Sequence, residues 1–174
     1  EDLESETRDA IAGPAATWQE QEARLVEQFV ATACRDFVGR EEILGRLITL
    51  ALDPAREADI RGVCVVGPAG SGKSSLFAEL HRKLRERKVL LLAHAAGIGP
   101  RAGDVDSVLR RFCFELAGAL GIADPSEGLT ARDALKETFS QLLARASAER
   151  RVVCLIDAMN QFERTPDGMH ATWL

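Results

Sequence analysis

The 174-residue sequence holds no run of about 18 apolar residues and no basic-then-apolar leader, so neither a membrane span nor secretion is expected. Cysteine is sparse. Cys34, Cys64, Cys113 and Cys154 lie far apart with no C-x-x-C pair, and Cys64 and Cys154 sit in apolar runs where a small hydrophobe fits. Four reduced thiols and a cytoplasmic protein are the expectation. Positive charge is not in excess: 22 Lys and Arg face 27 acids, a formal net charge of −5, which argues against sequence-independent attraction to nucleic acid or an anionic membrane. The local exception, His81 to Lys88, places cations at the end of a predicted helix, where they complement its negative carboxyl end. No aromatic residue is interleaved there for base stacking. Repeats and low-complexity tracts are absent too. What is present, 46% hydrophobic and 28% charged residues, is ordinary for one soluble α/β domain. The first residue is Glu1 rather than Met, which points to a piece of a longer protein.

Residues 1–14 are acidic and poor in large apolar side chains, and read as a flexible lead-in. Trp18, Leu25, Phe29 and Ala33, with Val26 and Val30 beside them, recur at helical spacing and predict an amphipathic helix over 15–33. A second is predicted from Arg40 to Leu52, ended by Asp53-Pro54. Together they form a helical lead-in over 15–60. From 61 to 174 strand and helix alternate, as in a parallel sheet with crossover helices. The predicted strands are Val63–Val66, Val89–Ala93 and Val152–Ile156, the first a run without polar alternation, as in a strand covered on both faces. Predicted helices run from Lys73 to Glu86, from a cap at Asp104 through Leu120, and from a Thr130/Asp133 capping box through Leu142.

Gly67-Pro68-Ala69-Gly70-Ser71-Gly72-Lys73-Ser74 fits G-x-x-x-x-G-K-[ST], between a predicted strand and a predicted helix, the context this phosphate loop (Walker A) requires. Glycines let the backbone curl around a phosphate and aim successive N–H groups at its oxygens. Pro68 has no N–H, so Gly70 to Ser74 supply the donors. The following helix adds its positive amino end, and the Lys73 ammonium neutralises the β and γ phosphates. Ser74 is the expected hydroxyl ligand of Mg²⁺; Ser75 is either a helper or an ordinary helix residue.

In P-loop proteins a carboxylate ending another buried strand holds the Mg²⁺, usually through water, and Val152-Val153-Cys154-Leu155-Ile156-Asp157 has that Walker B form. Lys73 and Asp157 are therefore the candidate catalytic residues, and Ser74 and Asp157 the candidate metal ligands, for a bound ATP or ADP with Mg²⁺. Asp157 is followed by Ala158, Met159, Asn160 and Gln161 rather than by an acid, so no general base is evident. Asn160 or Gln161 is left to hold a water or to form the turn. His94, at the end of a strand, reads as polar filling or as a phosphate sensor. His170 and Trp173 read as packing against something beyond this chain.

Phe37-Val38-Gly39-Arg40-Glu41, the phosphate loop and Asp157 followed by small Ala158 together resemble the NACHT branch of the STAND ATPases, relatives of the AAA+ proteins. The stretches Ile156–Phe162 and His170–Leu174 look most like NACHT proteins with WD or tetratricopeptide repeats. The resemblance implies a three-layer α/β/α P-loop NTPase core with Val38, Gly39 and Arg40 beside the adenine. It implies a sheet of order 5-1-4-3-2, of which this chain would supply a part truncated after the Walker B strand. It further implies a nucleotide-state switch with slow or assembly-dependent hydrolysis, whose partners are other domains of a longer chain and further copies of itself. Two alternatives stand beside it: a small-molecule phosphotransferase, with Arg101, Arg110 and Arg111 as a thin candidate lid, and a scaffold that binds nucleotide without hydrolysing it.

Overall fold

The computed structural model describes residues 15–35, 37–53, 62–171 and 173. The lead-in 1–14 lies outside them. Helix α1 (Trp18–Ala33) opens on a capping box: Glu20 N donates to Thr17 Oγ1 at 3.2 Å while Thr17 N donates to Glu20 Oε2 at 2.8 Å. Helix α2 (Glu41–Leu52) starts after two residues in the left-handed region, Gly39 at φ 77° and Arg40 at φ 63°. Then follow α3 (Lys73–Arg85), β1 (Leu90–Ala95), α4 (Val105–Leu120), α5 (Arg132–Glu149), β2 (Val152–Asp157), a 3-10 turn at Met159–Gln161 and a short α6 (Pro166–His170). Among the described residues no helix is long and apolar enough to cross a membrane.

Strands β1 and β2 pair in parallel, with His94 opposite Ile156 and Ala95 opposite Asp157. Side chains alternate across such a pair, and the packing follows that alternation. Leu90, Leu92, Val152 and Ile156 meet a cluster built from α4 and α5, with Phe112, Leu116, Leu135 and Phe139 buried at its centre. Leu91, Val153 and Leu155 meet Leu44, Leu76, Leu80 and Leu84 of α2 and α3, while Ala93 meets Val26, Val30 and Phe77. Helices therefore cover both faces of the sheet, in three layers.

Two expectations fail here. Val63–Val66 is not a strand: residues 62–68 have no strand pairing, and Val63, Val65 and Val66 are exposed. Among the described residues nothing pairs with the β2 edge away from β1. An apolar run becomes a strand only when a neighbour supplies hydrogen bonds, and here 62–67 and β2 both line a cleft of about 660 Å³ without pairing across it. The Thr130/Asp133 capping box does not form either, because the residue before α5 is Ala131 and makes no side-chain cap. Asp104 does cap α4, accepting from Asp106 N and Ser107 N.

Smaller expectations are also revised. Trp173 does not wait for an outside partner: it is buried, with its ring edge-on to Phe162 at 5.9 Å. All four cysteines are free, but Cys64 and Cys154 are exposed rather than buried fillers. Cys113 is the buried one, and burial pushes its thiol up to about 12.

Candidate phosphate and metal site

The loop 67–72 leads straight into α3, whose first residue is Lys73. Gly70 (φ 73°) and Gly72 (φ 77°) both adopt left-handed backbone, with Ser71 between them, the alternation that turns successive N–H groups toward one concavity. At Gly67 an added Cβ would lie 3.0 Å from Ser71 Oγ, so the curl is tight from its first residue. Lys73 Nζ donates to the carbonyls of Gly67 at 2.7 Å and Pro68 at 2.8 Å. An ammonium has three N–H donors, so one remains for an anion at the loop.

Asp157 ends β2 on the face that carries Val153 and Leu155, the face packed on α3. Strand alternation thus puts its side chain on the side of the sheet that packs on the phosphate-loop helix. Lys73, Ser74, Gly67 and Asp157 all line the same cleft, together with Ala158, Met159, Asn160 and Gln161. Among the described residues no three His, Cys, Asp or Glu side chains gather to hold an ion. A hydroxyl at Ser74 and one carboxylate at Asp157 are hard oxygen donors, the set that suits Mg²⁺ shared with phosphate oxygens and water. They fit that ion.

The other candidates are not among the cleft's lining residues. Pro68, Ala69, Gly70, Ser71, Gly72 and Ser75 do not line the cleft, and Val38 is 89% exposed. Arg40 reaches across to the loop: its Nη2 donates to the Ser71 carbonyl, and its guanidinium lies 3.7 Å from where a Cβ of Gly72 would stand. A hydrogen bond between residues so far apart in sequence leaves no trace in a motif.

A second layer supports the turn after Asp157, and of its members the sequence had singled out His94 and Gln161. Ala96 N donates to Asp157 O at 3.1 Å and Glu163 N to Gly103 O at 2.9 Å. Gly97, at φ 87°, lies so close to Gln161 that a Cβ would fall 1.9 Å from its Oε1. Beneath them His94 is buried, its Nε2 2.8 Å from Ala102 O and its ring stacked on Phe162 at 5.6 Å between centroids. A carbonyl only accepts, so Nε2 carries the proton and Nδ1 is left to accept from Arg111 Nη2 at 3.3 Å. Burial, with the Arg111 charge beside it, pushes the His94 pKa down to about 4 against the opposing bond to Ala102. His94 is the polar filling of the two readings.

A family model described as "AAA ATPase domain" matches residues 36–167, about three quarters of the chain, from the Arg40 segment past Asp157. The chain belongs to the AAA ATPase domain family. It is thus a P-loop nucleotide-binding NTPase domain of α/β class, and AAA ATPase domains generally bind nucleotide with Mg²⁺. No solved structure matches it. The family match is to the broad class and does not reach the NACHT branch.

Proposed function

We propose that this AAA ATPase domain binds ATP or ADP with Mg²⁺ and acts as the nucleotide-state switch of a larger cytoplasmic signalling protein of NACHT type. The observation that carries the reading is the convergence of Lys73, Ser74 and Asp157, from the ends of two different elements, on one cleft. Lys73 and the Gly70–Ser74 amides bind the phosphates, Ser74 and Asp157 hold the metal, and Val38, Gly39 and Arg40 lie on the nucleotide side of the lead-in. When bound, Mg²⁺ neutralises charge on the β and γ phosphates. The chain's own residues would orient: the loop amides would hold the polyphosphate, and Ser74 and Asp157 would hold the metal.

Turnover is slow in this reading. Met159, Asn160 and Gln161 follow Asp157 along the cleft, and none of them is a base. The Gln161 amide is packed on Gly97, which holds it as a turn support. Nucleotide identity, rather than flux, then decides how neighbouring domains or further copies are held. The three arginines of the phosphotransferase alternative make other contacts. Arg111 is buried and donates to Ala93 O and Glu115, Arg110 donates to the Ser126 and Leu129 carbonyls, and Arg101 lies over the Trp18 ring at 5.3 Å.

Calorimetric titration of Mg-ATP and Mg-ADP into the intact protein tests the reading, with Lys73→Ala as control. Saturable heats in the wild type that vanish in the variant support it. Equal weak heats in both sink it, and turnover at rates ordinary for ATPases removes the slow switch.

A further inference from the structure

We propose that Arg40 is a positioning residue of the phosphate loop, holding the Ser71–Gly72 peptide so that the Gly72 N–H faces the bound phosphate. The inference rests on the phosphate-loop reading above and gives Arg40 a role on the loop rather than on the base.

Three observations carry it. Arg40 Nη2 donates to the carbonyl oxygen of Ser71, and no phosphate-loop side chain competes for that acceptor: Lys73 bonds to Gly67 and Pro68 instead. The peptide unit is planar and trans, so the Ser71 C=O and the Gly72 N–H point in opposite directions from one rigid plate. A cation that fixes the carbonyl therefore also fixes the amide, aimed away from Arg40. Gly72 itself sits at φ 77° with the guanidinium 3.7 Å from its missing Cβ, so the plate is flanked by the residue type that leaves it freest to rotate. Without an anchor that freedom would blur the donor's direction.

The third observation is Arg40's own backbone. It is a non-glycine residue at φ 63°, uncommon for a long side chain, at the entry to α2 and directly after Gly39 at φ 77°. Its main chain makes an ordinary helix-start bond, Leu44 N to Arg40 O at 2.9 Å. That bond explains the start of the helix and leaves the left-handed turn unexplained. The turn is accounted for if it is what brings the guanidinium over the loop. A strained residue kept in place by one directed contact is the pattern found where geometry serves a site.

The test uses Arg40→Asn, because asparagine tolerates left-handed backbone but is too short to reach Ser71. In the intact protein, Mg-ATP, Mg-ADP and Mg-tripolyphosphate, a probe with no base, are each titrated into wild type, Arg40→Asn and Lys73→Ala. Thermal melting confirms that each variant is folded, and the Gly72 amide resonance is compared without ligand. The expected result is a loss of about tenfold in affinity for all three ligands by the same factor in Arg40→Asn, with a displaced Gly72 N–H signal. Loss for Mg-ATP with unchanged tripolyphosphate binding overturns the proposal in favour of a base contact. Unchanged affinity for all three in Arg40→Asn, with binding abolished in Lys73→Ala, overturns it alone. Absence of binding by the wild type defeats the phosphate-loop reading and this inference with it.

Discussion

At the scale of single residues, the site divides groups that meet the ligand from groups that aim them. In the proposed function Ser74 and Asp157 offer oxygens to a metal, so Ser74→Ala is expected to reduce the gain in ATP affinity that Mg²⁺ brings by roughly tenfold and to leave affinity measured in EDTA unchanged. Titration with and without Mg²⁺ checks this, and an equal loss in both conditions contradicts it. His94 lies in the supporting layer and is neutral. Its folded pKa of about 4 lies below the ordinary 6.5, so between those values the unfolded chain binds more protons than the folded one. Stability contributed by neutral His94 is therefore complete above about pH 6.5 and is lost as pH falls toward 4, a change of about 3 kcal/mol. The difference in unfolding free energy between wild type and His94→Gln grows by that order from pH 4 to pH 7. A difference that stays constant across the window refutes the assignment.

At the scale of elements, the loop between β1 and α4 is a seat for the turn after Asp157, and Gly97 is its closest approach. An alanine there meets both the left-handed φ and the Gln161 amide. Gly97→Ala lowers stability by about 1–2 kcal/mol or more, read by urea unfolding; an unchanged midpoint contradicts the seat. Helices were legible in the sequence because their apolar spacing is local: Val108, Phe112 and Leu116 bury together in α4, while in α1 Val26 and Val30 are the buried pair and Trp18, Leu25, Phe29 and Ala33, the residues that the spacing picked first, are half-buried. The phosphate loop and Asp157 were legible for the same reason, since a motif and a strand end are contiguous in sequence. Val63–Val66 was not, because a strand is a relation between two segments and an apolar run specifies only one. Thr130 was misjudged by one residue, since α5 begins at Arg132 after an uncapped Ala131, while the Thr17–Glu20 box stood in the sequence unread.

At the scale of the whole molecule, the sheet has two strands among the described residues, and helices pack on both of its faces. Phe112 is the hub of the larger cluster: it is fully buried, stacked on Phe139 at 6.1 Å and edge-on to His94 at 6.5 Å. Phe112→Ala costs about 3–5 kcal/mol in unfolding free energy, and a loss below about 1 kcal/mol would show that the α4–α5 layer is not the principal core. The layers set the site from opposite sides. α3 carries the phosphate loop on one face, and α4 and its preceding loop brace the end of β2 from the other.

In the proposed function, main-chain amides of the loop, beside Lys73, take hold of a polyphosphate. Amide nuclear magnetic resonance reads those donors one by one as Mg-ADP is added to the intact protein. The Gly70, Ser71, Gly72, Lys73 and Ser74 N–H signals are expected to move together, saturate at one ligand per chain, and stay still in Lys73→Ala. Signals of 70–74 that remain fixed while amides elsewhere respond would contradict it.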